Sequence, residues 1–191
     1  MKLQEVSEVS IGVLLNREEV TDGHIEYNVF NIKNYEENKE YEKFHTNKNL
    51  DEKLTKEGDI LFRLVSPNKI IYISKKEENL LVPAQLCIIR VNKEKINPKF
   101  LKWYFENSPG KDRIMQELTG SSIQKISVTS LRNIELPKIK IEKQNIIKDF
   151  IELWGKEKQV LEQLIEKKEQ VYNSIIEEII EEEENIGTTT G

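Results

Sequence analysis

The sequence predicts an α/β (α+β) domain followed by one long C-terminal coiled-coil helix. Three short apolar or β-branched runs, separated by turn residues, are typical of strands. An amphipathic segment with helix-start and helix-stop residues follows them. After Pro137 the pattern changes, because residues 142–184 contain no proline and a single glycine. We therefore divide the chain into a domain over residues 1–140, a long helix over 141–184 and a flexible tail over 185–191.

The strand candidates lie in the middle of the domain. They read DILFRLV (59–65), KIIYIS (69–74) and LCIIRV (86–91). Cys87 lies between apolar neighbours in the third run, so we expect a buried, reduced thiol there. The opening third of the chain is polar and weakly periodic, and we expect it to form loop with short helical pieces.

Two helices are expected after the strands. In NPKFLKWYFENSPG (97–110), Asn97 can cap a helix and Pro98 suits its first position. Four apolar side chains recur at helical spacing and are expected in the core: Phe100, Leu101, Tyr104 and Phe105. A second, shorter helix is expected over residues 111–118, ended by Gly120.

The long helix carries a coiled-coil pattern. Ten positions alternate at spacings of three and four residues: Ile147, Phe150, Trp154, Glu157, Leu161, Leu164, Lys168, Val171, Ile175 and Glu178. Seven of the ten are apolar, which indicates a seam that pairs with another helix. Further apolar side chains widen the stripe, so we expect the helix to contact something besides one partner helix.

The polar residues of the seam favour an antiparallel pair of identical helices. Around a two-fold axis between Leu161 and Leu164, Glu157 of one helix faces Lys168 of the other. The remaining facing pairs are Trp154 with Val171 and Phe150 with Ile175. A parallel pair would place like charges opposite each other, although the seam could also pack on a different chain.

Charge is distributed unevenly along the chain. The net charge is −5, but residues 141–191 contribute −7, whereas residues 90–140 carry +6. A basic segment can bind nucleic acid, or it can form part of a solvated surface of mixed charge. No apolar run approaches the ~18 residues that span a bilayer, and we expect a cytoplasmic protein without a membrane partner.

Candidates for covalent chemistry are weak. Asp22, Glu37 and Lys39 match the loose pattern of a metal-dependent nuclease, in which carboxylates hold a divalent ion that orients water. In a chain with 33% charged residues, chance supplies such patterns. We find no Gly-rich phosphate loop and no aromatic motif for holding a flipped base. We expect no metal site and no catalytic residue.

Four segments in a fixed order carry a resemblance to a known family. They are LTKEGDILF (54–62), PKFLKWYFENS (98–108), LTGSSIQKISVTSLRNIELPKI (118–139) and the EKQNIIKDFI that opens the long helix. Together they resemble a target recognition domain and spacer helix from the specificity subunits of type I restriction-modification systems. In that family the Gly-Asp pair introduces a strand, the Gly-Ser-Gln stretch precedes the last strands, and Leu-Pro precedes the spacer helix. A full member resembles two such domains and two helices, so this sequence resembles a half-length subunit that must pair.

The resemblance implies that the chain recognises double-stranded DNA and performs no catalysis. Its implied partners are a methyltransferase subunit, a restriction and translocase subunit where one exists, and a second half subunit. S-adenosylmethionine and ATP would be used by those partners and not by this chain. An interaction adaptor remains the alternative to the nuclease and DNA-reading hypotheses, and the target bases do not follow from the sequence.

The implied DNA contacts lie in two segments. One is the loop that contains Gly120, Ser121, Ser122, Gln124 and Lys125, which offers hydroxyl, amide and ammonium groups. The other flanks the VSPN turn and comprises Arg63, Ser66, Asn68 and Lys69. The alternative for the first loop is a helix stop and turn, with Ile123, Ile126 and Val128 in the core.

Overall fold

The computed structural model describes the backbone of residues 1–188 and the side chains of residues 1–181. The chain divides into a first unit, Met1–Lys148, and a second unit that begins at Asp149. The strands are β1 (Ser7–Ile11), β2 (Ile25–Val29), β3 (Glu42–Thr46), β4 (Ile60–Arg63), β5 (Ile70–Tyr72), β6 (Leu80–Leu81) and β7 (Leu86–Val91). The α-helices are α1 (Leu15–Glu18), α2 (Ile32–Glu36), α3 (Pro98–Glu106), α4 (Gly110–Gln116), α5 (Val128–Asn133) and α6 (Ile141–Thr188). The predicted mixed α/β domain with a long C-terminal helix is confirmed.

A four-stranded antiparallel sheet, in the order β1-β7-β4-β5, forms the centre of the first unit. Phe62 of β4 packs into one core, which includes Phe100 of α3. Leu61 of β4 points into a second core together with Phe30. Because β4, β5 and β7 are buried on both faces, these three strands consist largely of continuous apolar runs, whereas β1 at the edge has one buried residue. This explains why all three predicted strands are found, as β4, β5 and β7.

The expectation of loop in the opening third is wrong. This region contains β1, β2 and β3, and β2 pairs with both β3 and β6 in a second, three-stranded sheet. Tyr27 of β2 and Phe44 of β3 are buried, and the residues beside each of them in its strand are exposed or half-buried. With so few buried positions, each strand has only a weak hydrophobic alternation. The surrounding charged residues obscure it, so the sequence does not predict these strands.

The predicted helices after the strands are confirmed with small shifts. The side chain of Asn97 accepts a hydrogen bond from the Lys99 N–H at 2.9 Å and caps α3. The four predicted core side chains of α3 are buried. The strands that the resemblance implied after the Gly120 loop are not formed: the segment folds as α5, where Ser127 caps the helix and Leu131 is buried.

Cys87 is buried in β7, as predicted. Burial raises the pKa of its thiol to about 11. Asp59, which directly precedes the neighbouring strand β4, is 2% exposed and pairs with Arg90 of β7. The two guanidinium contacts measure 2.9 Å and 2.7 Å, so the buried carboxylate is matched by a bidentate partner.

The first turns of α6 belong to the first unit. Gln144 is fully buried there, and its amide bonds to three backbone groups outside or at the start of the helix. Ile147, the first position of the predicted seam, packs against the domain core. The helix continues to Thr188, past the predicted boundary at 184, and residues 189–191 of the predicted tail lie outside the described residues.

The opening residues pair with the segment that precedes α6. Leu3 N–H donates to the Ile134 carbonyl at 3.0 Å, and Leu136 N–H donates to the Met1 carbonyl at 2.7 Å. An isolated bridge joins Lys2 to Glu135 between them. Among the described residues, no helix is long and apolar enough to cross a membrane.

Candidate functional site

The two segments that were predicted to contact DNA lie side by side. Ser66 N–H donates to the Gln124 carbonyl at 2.9 Å, and Ile126 N–H donates to the Leu64 carbonyl at 2.9 Å. An isolated antiparallel bridge pairs Val65 with Lys125. The turn after β4 and the loop after α4 therefore form one surface, which we call the paired-loop surface (residues 63–69 and 119–125).

Backbone hydrogen bonds hold the second loop closed. Thr119 and Lys125 exchange two N–H to carbonyl bonds of 2.9 Å each. Gly120 has a φ of +107°, and a side chain there would lie against the Ile123 carbonyl. Gly120 thus shapes the loop, and any contact it makes with a ligand would be through its backbone.

The loop presents its side chains outward. Ser121, Ser122, Gln124 and Lys125 are all exposed. Ile123 is 68% exposed, so the alternative that placed it in the core is wrong for this residue. That alternative holds for two others, since Ile126 is buried and Val128 packs against the core.

In the first loop, most of the predicted side chains already form contacts within the fold. The Asn68 amide donates to the Arg63 carbonyl at 2.9 Å, and Lys69 pairs with Glu36 of α2. Ser66 is half-buried. In the part of the chain with described side chains, the Arg63 guanidinium has no carboxylate partner. Of the four predicted residues in this loop, Arg63 is therefore the one whose positive charge is available to a ligand.

A cleft of about 420 Å³ opens beside the paired-loop surface. Its apolar lining includes Ile70, Phe105, Ile114 and Leu118, and its polar rim includes Asn68, Lys111 and Gln124. Met115 of α4 also lines the cleft, although it is 59% exposed. Sequence reasoning missed Lys111 and Met115, and an exposed methionine within a short amphipathic helix was the available signal.

The charge around the cleft is positive. Within the described side chains, neither Lys111 nor Lys125 is paired with a carboxylate. Glu106 also lines the cleft, but Lys102 contacts its carboxylate oxygens at 2.6 Å. The two free ammonium groups are therefore available to an anionic partner.

The nuclease pattern is not assembled. Asp22 lies just before β2, near the end of the hairpin where Ile25 pairs with Thr46. Glu37 and Lys39 follow α2, beyond the opposite end, and they form an ion pair with each other at 2.5 Å. No group of three or more metal-ligating side chains exists among the described residues. The structure thus does not bring the three nuclease candidates to one metal.

The second unit presents an apolar stripe along α6. Thirteen large apolar side chains between residues 149 and 181 are exposed in the single chain. They include six predicted seam residues: Phe150, Trp154, Leu161, Leu164, Val171 and Ile175. Glu157 and Lys168, the polar seam residues between them, are exposed as well. An apolar surface of this size is typical of a helix that binds another molecule.

Comparison with solved structures gives a consistent fold likeness. The S subunit of a type I restriction-modification system from M. genitalium matches 87% of this chain and 41% of its own length, with 17% identity and a TM-score of 0.55. The HsdS subunit from Thermoanaerobacter tengcongensis matches 86% and 43%, with 16% identity and a TM-score of 0.62. A chain from a structure on complex assembly and conformational transition of a type I R-M system matches 84% and 43%, with 16% identity and a TM-score of 0.59.

The chain spans less than half the length of each of these proteins. No family model matches its sequence, and no curated protein sequence matches it. The likeness is therefore one of fold: an α/β domain that precedes a long helix.

Proposed function

We propose that this chain is a sequence-specific reader of double-stranded DNA within a type I restriction-modification complex. The observation that carries the proposal is the shared fold, which extends over 84–87% of this chain in three proteins of such systems. The paired-loop surface supports it, because exposed hydroxyl, amide and ammonium groups are suited to phosphates and base edges. In this role the phosphate backbone of the DNA would be contacted by Gly120, Ser121, Ser122 and Lys125.

The chain itself would be non-catalytic. Methyl transfer would belong to a methyltransferase subunit that binds S-adenosylmethionine, and any cleavage to a restriction and translocase subunit that uses ATP. The contribution of this chain would be to hold that machinery on its target. The exposed stripe of α6 supports such a role, since it offers a long apolar surface for partner helices.

The exposed seam of α6 supports a pairing of two copies. The seam pairs with itself in the antiparallel register, where Glu157 faces Lys168 twice. Each such exposed pair contributes only about 0.5 kcal/mol. A parallel arrangement would replace both attractions by repulsions of similar size, so the charges favour one orientation over the other.

Two copies related in this way would bind a two-part DNA site. The two recognition domains would read inverted copies of one half-site, and the unread gap would depend on the length of the paired helices.

The test is to map methylated positions in the host genome with and without this gene. Loss of methylation at a bipartite inverted repeat is the expected result. A lost motif with two different halves would preserve DNA recognition but exclude the homodimer. If no motif is lost while the chain still co-purifies with its partners, the adaptor hypothesis replaces the DNA-reading one.

A further inference from the structure

The cleft beside the paired-loop surface combines an apolar interior with a free amide at its rim. Gln124 and Met115 line this cleft together, and both are exposed. The Gln124 side chain has no hydrogen-bond partner among the described residues, in contrast to the Asn68 amide, which bonds to the backbone. Gln124 can therefore form hydrogen bonds to a ligand through its side-chain amide without losing a hydrogen bond within the protein.

A free glutamine amide has a defined preference in the major groove of DNA. Its carbonyl oxygen accepts from the N6 amino group of adenine while its NH2 group donates to N7, and no other base offers this pair of groups. Thymine, in turn, presents a methyl group that binds apolar side chains. The amide and the apolar wall of this cleft thus correspond to the two distinguishing features of an A·T pair.

The charges nearby agree with a polyanionic ligand. Lys111 lines the same cleft and Lys125 follows Gln124 directly, and neither ammonium is paired with a carboxylate within the described residues. Glu106, which would oppose DNA, is neutralised by Lys102. Cations near a base-reading amide would fix the register of the loop on the duplex by binding phosphates.

We infer that Gln124 reads an adenine in the half-site and that the cleft at Met115 receives a thymine methyl group in the same or the next base pair. This inference rests on the proposed DNA-reading function and adds its base specificity. It assigns different tasks to neighbouring residues: Gln124 and Met115 select the base, whereas Lys111 and Lys125 bind phosphate irrespective of sequence.

The experiment uses the complex with its methyltransferase subunit and duplexes that contain the mapped site. Each adenine in turn is replaced by 7-deazaadenine, which lacks the N7 acceptor, and each thymine by uracil, which lacks only the methyl group. At one adenine we expect the wild type to lose roughly 5- to 100-fold in affinity. At one thymine we expect a loss of about fourfold, the contribution of one buried methyl group.

The variants identify which side chain is responsible. Gln124→Ala should be insensitive to 7-deazaadenine at that one adenine, and Met115→Ala should be insensitive to uracil at that one thymine. Ser121→Ala serves as the control on the same loop and should keep both sensitivities. Gln124→Glu, which can only accept, should bind the adenine site weakly and should shift preference toward cytosine at that position.

Two failures are distinguishable. If the complex binds no mapped duplex better than an unrelated one, the proposed function is wrong. If it binds selectively but Gln124→Ala and Met115→Ala keep every wild-type sensitivity to the modified bases, DNA recognition stands and this inference is overturned.

Discussion

The side-chain carbonyl of Gln144 accepts a hydrogen bond from the backbone N–H of Asn97 at 2.9 Å, which ties the start of α6 to the start of α3. The amide group of Gln144 donates to the carbonyls of Lys95 and Ile139 at 3.2 Å and 2.8 Å. Gln144 is fully buried, so no water can replace these three bonds.

Gln144→Ala should therefore lower the free energy of unfolding of the first unit by about 1–3 kcal/mol, since it leaves buried backbone groups without partners. Urea denaturation followed by far-UV circular dichroism measures this loss. Lys143→Ala is the matched control, because Lys143 is the exposed neighbour in the same turn. Equal stability of the two variants would contradict the anchoring role.

Lys125→Ala should weaken binding to all duplexes similarly and reduce the slope of log affinity against log salt by about one, because one phosphate contact is lost. Binding titrations of the complex at several salt concentrations provide the slope. The control is Lys56→Ala. Lys56 is exposed and precedes β4, at the end away from the paired-loop surface, so this change should leave the slope unchanged. An unchanged slope in Lys125→Ala would remove this residue from the interface.

Lys168→Glu should weaken self-association roughly thirtyfold, because two attractive pairs with Glu157 become repulsive, a change of about 2 kcal/mol. Adding Glu157→Lys on the same chain should restore it, since the charges are again opposite. Sedimentation equilibrium measures both effects. Lys156→Glu makes the same charge change at an exposed position outside the seam and should have little effect. A double variant no better than Lys168→Glu, or cross-linking of Trp154 to Trp154 of a second copy, would exclude the antiparallel homodimer.

Asp22→Ala and Glu37→Ala should leave methylation and cleavage by the assembled complex near wild-type levels, because the structure places these carboxylates near opposite ends of the β2–β3 hairpin. Assays with and without added Mg²⁺ check this. A metal-dependent loss of cleavage in either variant would revive the nuclease hypothesis.

Cys87 should resist thiol reagents at pH 8 while the protein is folded. Its side chain is fully buried, and burial raises the pKa of the thiol to about 11, so the reactive thiolate is scarce. Labelling followed by mass spectrometry should show modification only after unfolding in urea. Rapid labelling of the native protein would indicate that β7 opens readily.

How far the sequence predicts the structure depends on how strongly each segment is buried. β4, β5, β7 and α3 are rich in buried apolar side chains, and their patterns are clear. By contrast, β2 and β3 have few buried positions, so their weak alternation wrongly predicts loop. The cleft is a different case, because Lys111 and Gln124 are distant in sequence from Asn68 and meet only through backbone bonds between two loops.

The pairing of the chain's opening residues with the segment before α6 has an evolutionary consequence. Leu3 bonds to Ile134 and Leu136 bonds to Met1, so the entry and exit of the domain lie together. A domain whose ends meet can be exchanged, duplicated or circularly permuted with little disturbance to what it is joined to. Recombination at these two points would transplant the entire paired-loop surface onto another helix in a single genetic event.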